Sequence, residues 1–194
     1  MAIFGGSQVW LVASLVLAGC EAGGIGDPCV PEDEYQRSFG GFDVNEVNVE
    51  TRSFQCETRT CLVNHFQGRV TCPYGQSEED LSLPPDDARR CRLPGRSGVS
   101  ESDAVSVMVK PERLDRLARD AVYCSCRCDG PDKNVHYCDC PNGFSCAKLI
   151  DDLGFGPNEL TGSYCVRDGT KFANQVAREC SRDARECGGE GKNP

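Results

Sequence analysis

The first half of the chain contains short runs of alternating apolar and polar residues, the pattern of half-buried strands. In residues 44–50, Val47 and Val49 fall on one face, with charged or amide side chains on the other. Two further runs, 61–66 and 69–72, also have strand composition, and we expect Gln67-Gly68 between them to form a hairpin turn. The pattern predicts a mainly β N-terminal module over residues 29–75.

Helical periodicity appears only in the second half of the chain. Valines at positions 105, 107 and 109 predict one more strand, and Pro111 then favours the first turn of a helix. The apolar positions of this helix, spaced three and four residues apart, are Leu114, Leu117, Ala118 and Ala121. Two pairs four residues apart, in the favourable orientation, are Glu112/Arg116 and Asp115/Arg119.

A second helix is predicted over residues 172–187. Its apolar side holds Val176, Cys180, Ala184 and Cys187. Residues 104–194 would then form a C-terminal Cys-rich module. The fold class expected is a small, disulfide-rich α+β fold of mainly β and irregular structure with two short helices.

Residues 76–103 differ in composition from the modules on either side. Ser, Gln, acidic residues, Arg, Pro and Gly dominate this segment, and its carboxylates are followed by a cluster of arginines. Such a composition is typical of a polar linker or long loop, pinned here by Cys91. The neighbouring carboxylates argue against a basic patch for lipopolysaccharide or nucleic acid.

The amino-terminal end carries a separate apolar signal. Residues 9–19 are uncharged and mostly apolar, which is too short for a membrane-spanning helix of about 20 residues. The length suits the apolar region of a secretory signal peptide, about 7–15 residues. Residues 1–19 contain no Lys or Arg, so the usual basic charge falls to the amino terminus or to residues encoded upstream.

The sequence Leu17-Ala18-Gly19-Cys20 at the end of this run resembles the lipobox of bacterial lipoproteins. The resemblance implies that residues 1–19 are a lipoprotein signal peptide, cut before Cys20. It also implies a diacylglyceryl group on the Cys20 thiol and a fatty acid such as palmitate on the new amino group. Because Glu21 rather than Asp follows, the family's sorting rule implies the outer membrane, with the protein either periplasmic or surface-exposed. Residues 20–28 would form a flexible tether.

Composition indicates how the exported part is held together. The chain has 194 residues, 15 cysteines and a formal net charge of −9. From Cys20 onward, Leu, Ile, Val and Phe make up about 18% of the residues, so a conventional apolar core is small. These values exclude a large cytosolic α/β enzyme, a polytopic membrane protein and a nucleic-acid binder that acts through net positive charge.

An acylated Cys20 leaves fourteen cysteines, which we expect to form seven disulfides in an oxidising compartment. Their spacing does not fix the partners of Cys29, Cys56, Cys61, Cys72, Cys91, Cys124, Cys126, Cys128, Cys138, Cys140, Cys146, Cys165, Cys180 and Cys187. Five of them precede residues 105–123, so at least one bridge must join the two halves. Alternate cysteines in the array 124–128 should pair outward, some across the loop 129–137. Pro141-Asn142-Gly143 predicts a turn.

Two metal sites are alternatives to this framework. Five thiols near His136 would suit zinc in a reducing cytosol, although export favours disulfides. Loosely placed oxygen ligands for calcium are Asp129, Asp132, Asn134 and Asp139, without an EF-hand pattern. We expect neither a metal nor another cofactor.

The sequence offers no catalytic constellation. Its two histidines are His65 and His136, and it contains no G-x-S-x-G, H-E-x-x-H or P-loop motif. Asp151 and Asp152 are adjacent, so they would face apart on a regular element. We therefore predict a protein that is not an enzyme and a structural role for His65.

The lipobox, the Gly26-Asp27-Pro28-Cys29 start and the Cys124–Cys146 array together resemble the cysteine-rich lipoproteins of unassigned function found in myxobacteria. The resemblance implies a lipid-anchored, disulfide-stapled structural or binding module of the cell envelope. Its partners would be the membrane, through the lipid, and a protein or glycan, but not nucleic acid. Alternatives are a protease inhibitor or hydrolase on the same scaffold, and a surface lipoprotein for cell–cell contact or motility.

Overall fold

The computed structural model describes residues 22–151, 160–173, 176–184 and 187. Within these residues the chain forms two three-stranded antiparallel sheets, one single-turn α-helix and three 3-10 turns. The strands are β1 (Val47–Glu50), β2 (Thr60–Asn64), β3 (Val122–Ser125), β4 (Arg127–Asp129), β5 (Phe144–Ile150) and β6 (Gly162–Arg167). The helix α1 covers Ala118–Ala121, and the 3-10 turns cover Glu32–Tyr35, Asp80–Ser82 and Glu101–Asp103. The described part contains no helix with the length and apolar character needed to cross a bilayer.

The first sheet has the order β1-β2-β3 and takes strands from both predicted modules. Val49 lies opposite Leu62, and Cys61 lies opposite Cys124. All five residues of the central strand β2 are buried. The prediction of β1 from alternating valines is confirmed, because Val49 is buried and Val47 packs against the same cluster.

The second sheet has the order β4-β6-β5 and follows directly from the first. Only Cys126 separates β3 from β4, so one continuous stretch of chain serves both sheets. Ser125 Oγ donates to the carbonyl oxygen of Cys165 at 2.8 Å, and Cys165 N donates to that of Cys126 at 3.1 Å. The predicted turn before β5 is confirmed by a 3.0 Å hydrogen bond from Phe144 N to the carbonyl oxygen of Pro141.

Much of the apolar interior consists of half-cystines. The largest buried cluster contains Cys29, Phe42, Cys56, Cys61, Val63, Phe66, Ala121, Val122 and Cys124. A second cluster lies where the two sheets meet and contains Val49, Leu62, Tyr123 and Tyr164. The low aliphatic content is thus offset by sulfur packed inside the molecule.

The predicted hairpin across Gln67-Gly68 is wrong. Residues 69–72 form a turn, closed by a 3.0 Å hydrogen bond from Cys72 N to the carbonyl oxygen of Arg69, and β2 pairs with β1 and β3 instead. Gly68, at φ 92°, exchanges two backbone hydrogen bonds with Phe42, at 2.9 and 3.0 Å. A Cβ on Gly68 would lie 2.5 Å from the carbonyl oxygen of Lys110, so only glycine fits this crossing.

The helix predicted after Pro111 is reduced to α1. Glu112 N donates to the carbonyl oxygen of Pro73, and Leu114 N to that of Arg178, both at 2.9 Å. In a helix that begins at Pro111, Leu114 N would donate to the carbonyl oxygen of Lys110, so the long-range bond to Arg178 replaces a helical one. In place of the predicted ion pairs between residues four apart, Asp115 Oδ2 forms an ion pair with Arg113 Nη2 at a distance of 2.8 Å.

The second predicted helix is not found in the described part of residues 172–187. There the chain has turns and irregular backbone, and the backbone of Glu179 forms an isolated β-bridge with that of Arg113. Of the predicted apolar side, Val176 is fully exposed, at 104% of its reference area, whereas Cys180 and Cys187 are buried in a cluster with Leu117. Cys180 and Cys187 are joined to each other.

The valines at 105–109 do not form a strand. Val105 and Val109 are buried, with only single bridges at Ala104 and Val109. Residues 76–103 contain two of the 3-10 turns and several buried side chains. Gln76 Nε2 donates to the carbonyl oxygens of Val105 and Val107, at 3.1 and 2.6 Å, so this segment packs against the valines.

Candidate membrane-anchoring site

Cys20, the predicted lipid-attachment residue, lies outside the described residues, so its acylation stays a prediction. The described chain begins two positions later, inside the segment predicted as a tether. The geometry of that segment limits how far Cys20 can lie from the folded protein.

The segment 23–27 is hydrogen-bonded to the fold. Gly23 N donates to the carbonyl oxygen of Gln55 at 2.8 Å, and Glu57 N donates to that of Gly23 at 2.9 Å. Further along, Gly26 N donates to the carbonyl oxygen of Cys124, and Cys124 N to that of Asp27, both at 2.8 Å. The folded structure therefore starts three residues after Cys20.

Gly26 is required where this segment crosses the second sheet. Its φ is 97°, and a Cβ there would lie 2.7 Å from the ring of Phe144. Arg167 Nη2 donates to the carbonyl oxygen of Gly26 at 2.9 Å, while its guanidinium lies 5.2 Å from the ring of Tyr123 and 5.0 Å from that of Phe144. A guanidinium that packs against both rings thus holds the start of the fold through the Gly26 carbonyl.

A shallow cleft lies beside this crossing. It is lined by Gly26, Pro28, Arg119, Asp120 and Arg167. Its two cations are already engaged, because Arg119 Nε lies 3.7 Å from Asp120 Oδ2 and Arg167 binds the Gly26 carbonyl. The cleft therefore offers charges of both signs and does not select an anion by itself.

The fourteen remaining cysteines are all described, and all are paired. The seven disulfides are Cys29–Cys61, Cys56–Cys124, Cys72–Cys91, Cys126–Cys138, Cys128–Cys146, Cys140–Cys165 and Cys180–Cys187. The expected link between the two halves is Cys56–Cys124, which joins the loop beneath Gly23 to β3. The outward pairing of the dense array is also confirmed, with Cys126–Cys138 spanning the loop 129–137.

Three groups of cysteine sulfurs lie within 4.8 Å of one another, as metal ligands would. One group is Cys29, Cys56 and Cys124, and the other two include Cys165. Every sulfur in these groups belongs to a disulfide and so is not the thiolate that zinc requires.

Two of the carboxylates considered for calcium, those of Asp129 and Asp132, are engaged locally. Lys133 Nζ lies 3.1 Å from Asp129 Oδ1, and this hydrogen bond holds the pKa of Asp129 below its usual value. Asp132 Oδ1 accepts from Asn134 N at 2.9 Å. These contacts shape the 129–137 loop.

His65 has the environment of a structural residue. Its Nδ1 lies 3.0 Å from the carbonyl oxygen of Val44, and its ring stacks on Phe172 with centroids 4.4 Å apart. The residue has φ 55° and follows the end of β2. His136 is exposed, in the loop 129–137.

The sequence did not predict the buried ionisable groups. Glu34 and Arg69 are fully buried and adjacent; burial raises the pKa of Glu34 and lowers that of Arg69. Burial also raises the pKa of Glu112 to about 7, although its Oε2 accepts from Ala118 N at 3.1 Å. Glu34 lies in an acidic run, Glu32-Asp33-Glu34, which gave no sign of burial.

Comparison of the chain with protein-family models, curated proteins and solved structures gives no match.

Proposed function

We propose that this protein is a lipid-anchored, disulfide-stapled component of the cell envelope that acts as a structural or binding module at the outer-membrane surface. The observation that carries the proposal is Leu17-Ala18-Gly19-Cys20 at the end of an uncharged apolar run. Small residues before the cysteine suit a signal-peptidase cleft, and two or three acyl chains give stable anchoring where one is marginal.

The disulfide framework supports an exported location. Seven bridges within 194 residues are compatible with an oxidising compartment and would be unusual in a reducing cytosol. The proposed role is not enzymatic. The proposed partners are the membrane, through the lipid, and a protein or glycan.

Metabolic labelling with a fatty-acid analogue tests the anchor. Wild type expressed in a Gram-negative host should incorporate the label, whereas Cys20→Ser should remain an unlabelled, uncleaved precursor. Ala22→Ser is the matched control, because it lies outside the lipobox and should be labelled like wild type. Equal labelling of wild type and Cys20→Ser would refute the proposal.

Membrane fractionation tests the location. Wild type should separate with the outer membrane, and Glu21→Asp should move to the inner membrane if the sorting rule applies. Cross-linking on intact cells, followed by purification through the acylated protein, then identifies the partner. Stoichiometric inhibition of a protease, or substrate turnover, by the purified protein would favour the inhibitor or hydrolase alternative.

A further inference from the structure

Residues 53–59 form a closed loop. Ser53 N donates to the carbonyl oxygen of Arg59 at 3.0 Å, and Arg59 N donates to that of Cys56 at 2.9 Å. Cys56 is bonded to Cys124 in β3. The loop is therefore held at its base by backbone hydrogen bonds and at its centre by a disulfide.

The same loop holds the first described residues. Gly23 bridges to Cys56 in parallel, through hydrogen bonds of 2.8 Å with Gln55 and 2.9 Å with Glu57. Three residues of extended chain span at most about 11 Å, which limits the distance from the Cα of Cys20 to that of Gly23. This distance is comparable to the headgroup region of a bilayer leaflet, roughly 5–7 Å thick. An acylated Cys20 would hold the loop against the membrane surface.

The loop presents a side chain suited to that surface. Phe54 is 80% exposed, and the guanidinium of Arg59 lies 4.0 Å from the centre of its ring. Arg52 is also exposed, two residues before Phe54, and Glu57 is an exposed acidic residue of the same loop. Phenylalanine is among the apolar side chains that membrane-surface segments bury at the boundary between headgroups and acyl chains, and arginine binds phosphate through two parallel hydrogen bonds.

We propose that the loop 53–59 is the membrane-contact surface of the anchored protein, an inference that rests on the proposed lipid anchor. Phe54 enters the interface of the bilayer that holds the anchor, and Arg52 and Arg59 contact the phosphates of anionic phospholipids. The chain has a net charge of −9, so these two arginines set the orientation of a molecule that an anionic surface otherwise repels.

Tryptophan fluorescence tests the contact directly. The single tryptophan, Trp10, precedes Cys20, so the processed lipoprotein has none. Phe54→Trp therefore introduces one probe, and Val99→Trp is the matched control because Val99 is exposed to a similar extent, 76%. Each acylated full-length variant is reconstituted into vesicles of brominated phosphatidylcholine and phosphatidylglycerol.

We expect the emission of Phe54→Trp to shift to shorter wavelength and to lose intensity through bromine quenching, with neither change for Val99→Trp. An unquenched Phe54→Trp on a protein whose mass shows acylation would overturn the inference and leave the anchor intact. Equal quenching of both variants would also overturn it. A mass without acyl chains would instead refute the proposed function.

The arginines are tested in the Phe54→Trp background. Quenching should be stronger with phosphatidylglycerol than with phosphatidylcholine alone, and Arg52→Gln/Arg59→Gln should abolish the difference. Arg96→Gln/Lys133→Gln is the matched control, since both residues are exposed elsewhere and the net change in charge is the same. A difference that survives Arg52→Gln/Arg59→Gln would overturn the assigned role of the arginines.

Discussion

Glu34 and Arg69 face each other in the interior, with Arg69 Nε 3.9 Å from Glu34 Oε2 and both side chains inaccessible to solvent. The carboxylate also accepts from Val70 N at 2.6 Å and from Thr71 Oγ1 at 2.7 Å. The guanidinium donates to the carbonyl oxygens of Phe39, at 2.7 Å, and Glu34. The pair joins the 3-10 turn Glu32–Tyr35 to the turn 69–72, which occupies the position of the expected hairpin strand.

Breaking this pair should destabilise the protein strongly. Glu34→Gln leaves a buried guanidinium without its counter-charge, and Arg69→Met leaves a buried carboxylate, so each should lower the free energy of unfolding by about 3–5 kcal/mol. The double variant should lose less free energy of unfolding than the two single variants together, because it leaves neither charge unpaired in the interior. Urea denaturation of the three variants measures this coupling. Additive losses would contradict a direct interaction.

An exposed pair provides the control for that cycle. Lys133 and Asp129 are 3.1 Å apart, with both side chains more than half exposed. Lys133→Gln should leave the free energy of unfolding close to that of wild type, because solvent screens an exposed ion pair. A loss as large as that of Arg69→Met would mean that burial does not determine how much stability is lost when an ion pair is broken.

Glu112 should make the stability depend on pH near neutrality. Its folded-state pKa of about 7 lies above the usual 4.5, so between these values the folded chain holds a proton that the unfolded chain has lost. Its contribution is full below pH 4.5 and is lost as the pH rises through 7, a decline of about 3 kcal/mol. Glu112→Gln keeps an acceptor for Ala118 N and should remove this decline.

The measurement is chemical denaturation from pH 4 to pH 8. The pKa of Glu34 is also raised and acts with the same sign, and the charge of Glu34 helps to raise the pKa of Glu112, so the difference between wild type and Glu112→Gln measures Glu112 together with its coupling to Glu34. Glu78→Gln, at an exposed acidic position, should parallel wild type. Parallel curves for wild type and Glu112→Gln would show that the Glu112 pKa is not raised by folding.

The disulfides should stabilise the fold by different amounts, according to the length of chain that each one closes into a loop. Cys56–Cys124 has a sequence separation of 68 and Cys180–Cys187 one of 7. Loop-closure entropy then gives about 4 kcal/mol for the first and about 2 kcal/mol for the second. Thermal unfolding of Cys56→Ala/Cys124→Ala and Cys180→Ala/Cys187→Ala compares them. A larger loss for the short loop would contradict the chain-entropy argument.

Reduction should unfold the protein without heat or denaturant. Four of the nine residues in the largest buried cluster are half-cystines, so reduction removes cross-links from the interior. Seven bridges at about 2–4 kcal/mol each exceed the whole stability of an ordinary domain, about 5–15 kcal/mol. Circular dichroism and hydrogen exchange before and after reductant check this. A reduced protein that kept a cooperative thermal transition would show that aliphatic burial suffices.

Sequence patterns predicted correctly those elements whose structure depends mainly on neighbouring residues. The alternation at Val47 and Val49 gave β1, and the odd number of cysteines in the first half required a bridge such as Cys56–Cys124. The helix after Pro111 failed because Leu114 N binds the carbonyl oxygen of Arg178, a contact that no local pattern encodes.

The components of the anchoring site were only partly predictable. Cys20 is marked by a local motif, whereas the docking of Gly23 on Gln55 depends on the tertiary fold. Phe54 and Arg59 occupy an ordinary polar stretch of sequence, and the loop closure between Ser53 and Arg59 is what brings them together. The sequence therefore predicts Cys20 as the lipid-attachment residue, a prediction that labelling has to test, but gives no indication of the loop 53–59.

The pairing of Cys56 with Cys124 has a consequence for maturation. In the proposed amino-first export, Cys29, Cys56 and Cys61 would emerge well before Cys124, and an oxidant that joins cysteines as they appear would link Cys56 to a near neighbour. The native partner of Cys29 is Cys61, so the native bridge forms only if Cys29 does not react first with Cys56, which lies between them. We therefore expect maturation to require an isomerase that exchanges disulfides. Cells that have a thiol oxidant but no isomerase should accumulate protein with non-native disulfides.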